Sequence, residues 1–260
     1  MKRPKIGLAL GSGGAKGFAH IGVIKVLEEH NIQVDYIAGS SMGALVGSLY
    51  AIGYHYEPMF KLATTFRRNH YLDFTVPRLG FISGKKVTSL IRAITKKKTF
   101  ADAAIPVQVV ATNLANGERI IFEEGYLYEA IRASISIPGI FIPVQKGDMI
   151  LVDGGVIDRV PVNVVKQMGA DIIIAVDVAS ASDRSTFASF FDVIVQSIDI
   201  MQQEMVKGQE QLADVMLKPN VSGFNSKAFT NMDKIIKIGE ETARHQITTI
   251  EQTIREWKGP

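Results

Sequence analysis

Residues 34–50, Val-Asp-Tyr-Ile-Ala-Gly-Ser-Ser-Met-Gly-Ala-Leu-Val-Gly-Ser-Leu-Tyr, constrain the fold more than any other stretch of this chain. Residues 34–38 are short and mainly apolar, the pattern of a buried strand. Residues 42–50 carry small and apolar side chains at helical spacing. Between the two lies Gly39-Ser40-Ser41-Met42-Gly43, a Gly-x-Ser-x-Gly motif at a strand-to-helix turn. So sharp a turn leaves no room for a Cβ two residues to either side of Ser41, and it lifts the Ser41 hydroxyl out of the sheet edge. It also puts Ser41 at the N-terminus of the next helix, where the dipole favours a developing negative charge. The same residues describe a plain Gly/Ser turn with Ser40 or Ser41 as a helix cap, so the motif alone assigns no chemistry.

A second glycine-rich turn precedes it. Residues 5–10 read as a strand and 18–30 as a helix, joined by Gly11-Ser-Gly-Gly-Ala-Lys-Gly17. Such a loop is an anion cradle, because its backbone N–H groups converge with few side chains in the way. The anion could be a dinucleotide pyrophosphate, with Asp35 as the acidic residue on the second strand, or the oxyanion of an acyl-transfer reaction. The dinucleotide spacing fails, since Gly11-x-Gly13 requires glycine at 16, where Lys16 stands. No Gly-Lys-Ser/Thr closes a phosphate-binding loop either. A tight βα turn with no ligand is the third reading. Consecutive parallel strands ending near Leu10 and Ala38 would carry both loops at one sheet edge. Further on, the apolar residues 149–152 run straight into Asp153-Gly154-Gly155. A carboxylate at the end of a strand is in the right layer to meet Ser41, although an Asx turn would use the same residues.

Taken in order, these motifs resemble those of the patatin-like phospholipases. Residues 12–17 match the family's Gly-Gly-Gly-x-Lys/Arg-Gly with Ser12 in place of the leading glycine; Gly39 to Gly43 match Gly-x-Ser-x-Gly; Asp153 to Gly155 match Asp-Gly-Gly. The resemblance runs from about residue 5 to 178. It implies a three-layer α/β/α sandwich around a mainly parallel sheet. It implies a Ser–Asp dyad in which Ser41 is nucleophile and Asp153 base, with no histidine, metal or cofactor. The amides of Gly13, Gly14 and Ala15 would hold the oxyanion, and Gly17, Gly39, Gly43, Gly154 and Gly155 complete the motifs. The substrate would be a fatty acyl ester of a lipid: a phospholipid, lysophospholipid or acylglycerol. In the family, a segment like Ser134-Ile-Ser-Ile-Pro138-Gly-Ile-Phe-Ile-Pro143 lies beside the active site; a buried connector fits it equally. Two other readings stand: a nucleotide- or cofactor-binding α/β protein using the glycine loop for phosphate, and a non-catalytic adaptor on the same fold.

The histidines favour a dyad. His30, His55 and His70 have no motif around them, and His20 is one turn into the first helix, where packing explains it. His245 is the only histidine after Asp153, the place a Ser–His–Asp triad would use, and it lies mid-helix among polar residues. No cluster has metal-ligand spacing.

The remainder is read as one domain, 1–260, with a motif-bearing core over about 5–178 and a helical closure over about 186–257. Helices are predicted over 58–68 and over 85–97, the second capped by Ser83. A strand at 105–112 turns at Asn116-Gly117 into 119–122 as a hairpin. Phe187, Phe190, Phe191, Ile194, Val195 and Ile198 fall at helical spacing and are read as covering the sheet. With no cysteine there is no disulfide framework, so a reducing, cytoplasmic setting is expected. The basic start, Lys2-Arg3-Pro4-Lys5, precedes only five apolar residues, too few for a signal peptide. From residue 61 to 98, ten basic residues meet one acid, Asp73, in a chain of net charge +3. That segment also carries Tyr71, Leu72, Phe74, Leu79 and Phe81. It reads either as a peripheral contact with an anionic membrane, at the inner surface of the cell, or as a solvated helical face with its aromatics in the core. No nucleic-acid motif accompanies the charge, and the sequence does not fix an oligomeric state.

Overall fold

The computed structural model describes residues 3–66, 73, 80–178, 190–207, 210–224 and 229–259. The chain opens with β1 (Ile6–Leu10), α1 (Ala19–Glu29), β2 (Tyr36–Ser40), α2 (Met42–Ala51) and α3 (Tyr56–Thr65). Then come β3 (Gly80–Ile82), α4 (Lys85–Ile94), β4 (Val107–Asn113), β5 (Glu118–Phe122) and α5 (Leu127–Ser134). β6 (Gly139–Phe141), β7 (Val144–Lys146), β8 (Met149–Asp153), α6 (Val162–Gln167) and β9 (Ile172–Val176) follow. The chain closes with α7 (Phe190–Lys207), β10 (Val215–Leu217) and α8 (Met232–Glu256).

The main sheet runs β10-β9-β1-β2-β4-β8-β7, with β5 on the other edge of β4. β10, β9, β1, β2 and β4 are parallel; β5, β7 and β8 join antiparallel. The parallel strands are apolar on both faces because helices cover both. In β1, Ile6, Leu8 and Leu10 pack into a core shared with α1, α2 and α8, while Ala9 faces a second core built with α6. β9 divides likewise: Ile174 and Val176 on one side, Ile173 and Ala175 on the other. This is the three-layer α/β/α arrangement around a mainly parallel sheet.

The register around β4 positions the site. Val110 pairs with Ser40 of β2 and with Ile121 of β5. Ala111, the next residue, pairs with Asp153 of β8 and with Ile120 of β5. A strand has two edges, and β5 occupies one, so β2 and β8 share the other. They run in opposite senses and meet with their C-terminal ends together. The sequence-based expectation put Asp153 at a strand end in the same layer as Ser41; the antiparallel entry of β8 is what brings the two ends face to face.

Beside the sheet, β3 and β6 pair in parallel as a separate two-stranded ribbon. β6 falls within residues 134–143, the segment read from sequence as lying beside the active site or as a buried connector. The buried Arg132 of α5 ties the ribbon down: Nη2 donates to Ser83 O and Ile142 O at 3.1 Å each, and Nη1 to Ser136 Oγ. The N-terminus of α4 corrects the expected Ser83 cap. The Asp73 carboxylate accepts from the amides of Gly84 at 3.0 Å and Lys85 at 2.8 Å, and from the Ser83 hydroxyl. An anion held by first-turn amides is favoured over a neutral hydroxyl there. Of the segment's apolar residues, Phe81 is half-buried; Tyr71, Leu72, Phe74 and Leu79 lie outside the described residues. No helix among the described residues is long and apolar enough to cross a membrane.

α1 and α8 cross glycine to backbone. A Cβ on Gly22 would lie 1.9 Å from Ile236 O, and one on Gly239 would lie 2.0 Å from Ala19 O. Next to the crossing, buried Glu240 pairs with Lys25 at 3.1 Å and Arg244 at 3.0 Å. Gly22→Ala should force these helices apart and destabilise the protein by about 1–3 kcal/mol or more. Urea denaturation measures it, and an unchanged midpoint would refute so close a crossing.

Candidate active site

The turn after β2 has no space for side chains at its glycines. A Cβ on Gly39 would lie 2.5 Å from Ala44 Cα, and one on Gly43 would lie 2.1 Å from Leu10 O. Ser41 between them has φ 53° and ψ −120°, a left-handed conformation that side-chain-bearing residues rarely adopt. It occupies the N-cap position of α2 without a side-chain capping bond, and is 4% exposed. Its Oγ donates to Asp153 Oδ2 at 2.5 Å.

Asp153, also 4% exposed, accepts at its other oxygen from the Gly155 amide at 2.8 Å. Burial pushes its pKa up to about 6, opposed by the hydrogen bonds from Ser41 and Gly155. Gly154 must be glycine because a Cβ there would lie 2.2 Å from Val110 O. The side chain therefore ends a β-ladder and opens a tight turn, and both of its oxygens are placed.

A third segment braces the pair. Ser134 Oγ accepts from the Ser41 amide at 2.8 Å and donates to Val110 O at 2.6 Å. Ser136 O accepts from the Asp153 amide at 2.9 Å. Sequence reading left residues 134–143 open between site and connector; its first residues touch the backbone of both Ser41 and Asp153. The signal for them was the serine-rich run Ser-Ile-Ser itself, which has no spacing rule to decode.

The glycine loop faces the pair. Gly11 and Ser12 are tied down through Gly11 N–H to Val176 O at 3.0 Å and Ser12 N–H to Arg159 O at 2.9 Å. Ser12 Oγ donates to Ser40 Oγ at 2.9 Å, joining this loop to the Ser41 turn. Gly13 and Gly14 line the cavity over Ser41, and their amides find no acceptor among the described residues. Ala15 is buried behind them and does not line it. Gly17 packs on the Ser41 turn, where a Cβ would lie 2.4 Å from Met42 Cγ.

None of the described histidines meets Ser41. His20 is buried, its Nε2–H donating to Gly11 O at 2.8 Å, and burial lowers its pKa to about 4. It supports the loop as a neutral ring. His30 bonds Glu251, His55 bonds Glu28, and His245 is exposed on α8; His70 lies outside the described residues.

The cavity has a volume of about 270 Å³. Its polar lining side chains are Ser12, Ser41, Asp153, Asp199 and Gln202; the rest is carbon and glycine, including Met59, Phe66, Ile91 and Phe229. Ile198, Asp199 and Gln202 come from α7, so that helix does more than cover the sheet. A hydroxyl bonded to a buried carboxylate, facing free amides at the wall of an apolar cavity, suits attack on an acyl carbonyl far better than it suits a pyrophosphate.

Comparisons with known proteins bear on the family and the fold. A family model described as patatin-like phospholipase matches residues 8–166. Lysophospholipase NTE1 of Debaryomyces hansenii is 30% identical over 285 residues, covering 97% of this chain and 18% of that protein. A protein of Mycobacterium tuberculosis described as an uncharacterized NTE family protein is 39% identical over 178 residues, covering 66% of this chain and 49% of that protein. The chain thus spans about half or less of the length of these curated relatives. Among solved structures, VipD from Legionella pneumophila superposes with a TM-score of 0.57 at 14% identity, over 96% of this chain and 67% of that chain. ExoU from Pseudomonas aeruginosa, solved in complex with SpcU, gives 0.56 at 15% identity, over 97% of this chain and 53% of that one. At such identities the likeness is one of fold.

The raised Asp153 pKa has a stability consequence. An unfolded chain releases this proton near pH 3.8, the folded protein near 6. Folding therefore loses stability as pH rises through that window, and the deficit persists at neutral pH. Asp153→Asn, neutral and nearly isosteric, should be more stable than wild type at neutral pH by on the order of 1–3 kcal/mol, the gap closing near pH ~4. Urea denaturation at both pH values tests this; a variant less stable than wild type at neutral pH would contradict it.

Proposed function

The chain belongs to the patatin-like phospholipase family, and on that premise we propose that it is a serine hydrolase of lipid acyl esters. The observation that carries the reading is the 2.5 Å bond from Ser41 Oγ to Asp153 Oδ2 at the wall of an apolar cavity. Asp153 takes the Ser41 proton as Oγ attacks the acyl carbonyl. The oxyanion forms against the amides of Gly13 and Gly14, at the positive end of α2. Collapse releases the alcohol, which takes the proton from Asp153, and leaves an acyl-enzyme. Water, deprotonated by Asp153, then frees the fatty acid and restores Ser41. A pKa near 6 leaves Asp153 mostly ionised at neutral pH, yet more basic than an exposed carboxylate.

The carbon-lined cavity suits an acyl chain, and we take single-chain esters such as lysophospholipids and monoacylglycerols as its first candidates. The name lysophospholipase carried by the fungal relatives points the same way. α4 supports contact with a lipid surface. Val87, Leu90, Ile91 and Ile94 line the cavity, while Lys85, Lys86 and Arg92 are exposed on the helix and Lys96 and Lys97 just after it. None of these five pairs with a carboxylate among the described residues. We read α4 as the wall through which an anionic leaflet delivers substrate.

Ser41→Ala and Asp153→Asn should each lower kcat by roughly 10³-fold or more in a folded protein. His245→Ala should leave it unchanged, and wild-type activity should fall as pH drops through about 6. A lipid-panel assay with product mass spectrometry and a fluorophosphonate probe reads all of these; full activity in Ser41→Ala would end the hydrolase reading.

Liposome co-sedimentation tests the surface. Binding should rise with anionic lipid, weaken with salt, and drop when Lys85, Lys86, Lys96 and Lys97 are changed together to glutamate. Binding indifferent to all three would remove α4 from the proposal.

A further inference from the structure

Gln202 belongs to no motif and lies beyond the residues that the family model matches. In the fold it is 6% exposed and lines the same cavity as Ser41 and Asp153. Its orientation is fixed chemically. Arg159, 3% exposed and paired with Asp177 at 3.4 Å, donates from Nη1 to Gln202 Oε1 at 2.6 Å. A guanidinium has only donors, so it must meet the amide oxygen, and the NH2 group is turned away from it. That NH2 finds no acceptor among the described residues. It lies over the turn after Asp153: a Cβ on Gly155 would be 2.9 Å from Gln202 Nε2 and 2.5 Å from Ser12 Oγ. The residue is buried but this nitrogen is open to the cavity, so the donor is free to meet a ligand there in place of solvent.

The ester itself indicates which ligand atom that is. Carbon lining takes the acyl chain, and the Gly13 and Gly14 amides face the carbonyl oxygen. The remaining substituent on the reacting carbon is the leaving alcohol, which must stand near Asp153 to receive its proton. Gln202 Nε2 stands over Gly155, two residues after Asp153, within reach of a group bound beside that carboxylate. We propose that Gln202 is a specificity residue whose amide N–H donates to a further oxygen on the leaving alcohol, so that the site selects acyl esters of a glycerol-type polyol over esters of simple alcohols. This rests on the hydrolase reading given above.

The test compares two substrates sharing one acyl chain, a monoacylglycerol and the corresponding ethyl ester, in wild type, Gln202→Met and Gln202→Glu. Gln202→Met removes the amide at similar size. Gln202→Glu keeps an oxygen for Arg159 and exchanges the NH2 donor for a second oxygen, its added negative charge facing the Arg159 guanidinium, so it carries the test where the methionine variant fails to fold. At a pH where Asp153 is ionised in every form, both variants should lose about 10- to 100-fold in kcat/KM on the glycerol ester, the worth of one buried hydrogen bond. The ethyl ester should stay within about threefold of wild type. A parallel fall on both substrates, or no fall on either, overturns the proposal. Wild type inert toward both esters refutes the hydrolase reading, and the proposal with it.

Discussion

A single hydrogen bond, Ser41 Oγ to Asp153 Oδ2, spans 112 residues of chain and depends on two strands ending at the same point. β4 arranges this by offering one edge to two partners in succession, parallel β2 up to Val110 and antiparallel β8 from Ala111 onward. Everything else at the site is referred to that junction. Ser134 hydrogen-bonds Val110 O, Thr112 Oγ1 donates to Asp153 O at 2.9 Å, and Gly154 passes against Val110 O with no room for a side chain. Strain at Ser41 is tolerated because these neighbours over-determine its conformation.

Much of the parallel half was legible in the sequence. Short apolar runs such as 172–176 read as strands buried on both faces, and glycine spacing marked both turns where backbone passes against backbone. What escaped has identifiable physical reasons. β6 and β7 are three residues each, too short for any period to register, and the β3–β6 ribbon is tied down by Arg132 rather than by pattern. The α4 cap comes from Asp73, twelve residues before Lys85, whereas capping rules read only adjacent positions. Ser134 acts through its hydroxyl on a backbone amide, a contact any serine could make. Gln202 was invisible for the same reason: only the buried Arg159 makes its orientation meaningful.

The cavity joins the two halves of the molecule that the sequence separates. Its carbon walls come from α2, α3, α4 and α7, and its reactive corner from the sheet edge. Arg132 connects them, reaching the β3–β6 ribbon with one nitrogen and Ser136 with the other, while the Ser136 carbonyl bonds the Asp153 amide. One guanidinium and one serine thus link the ribbon to the backbone of Asp153.

The shared edge of β4 also bears on how such chains diverge. Because Ser41 and Asp153 are brought together by ladder register, the stretches between β2 and β4, and between β5 and β8, can lengthen or shorten away from Ser134 and Ser136 with little effect on their meeting, loop length entering closure only logarithmically. These stretches supply the ribbon, α4 and much of the cavity wall. The architecture uncouples the Ser41–Asp153 pair from much of the cavity wall. Insertions there can reshape the cavity wall without disturbing the Ser41–Asp153 bond, whereas a one-residue slip of β8 along β4 would turn Asp153 to the opposite face of the sheet.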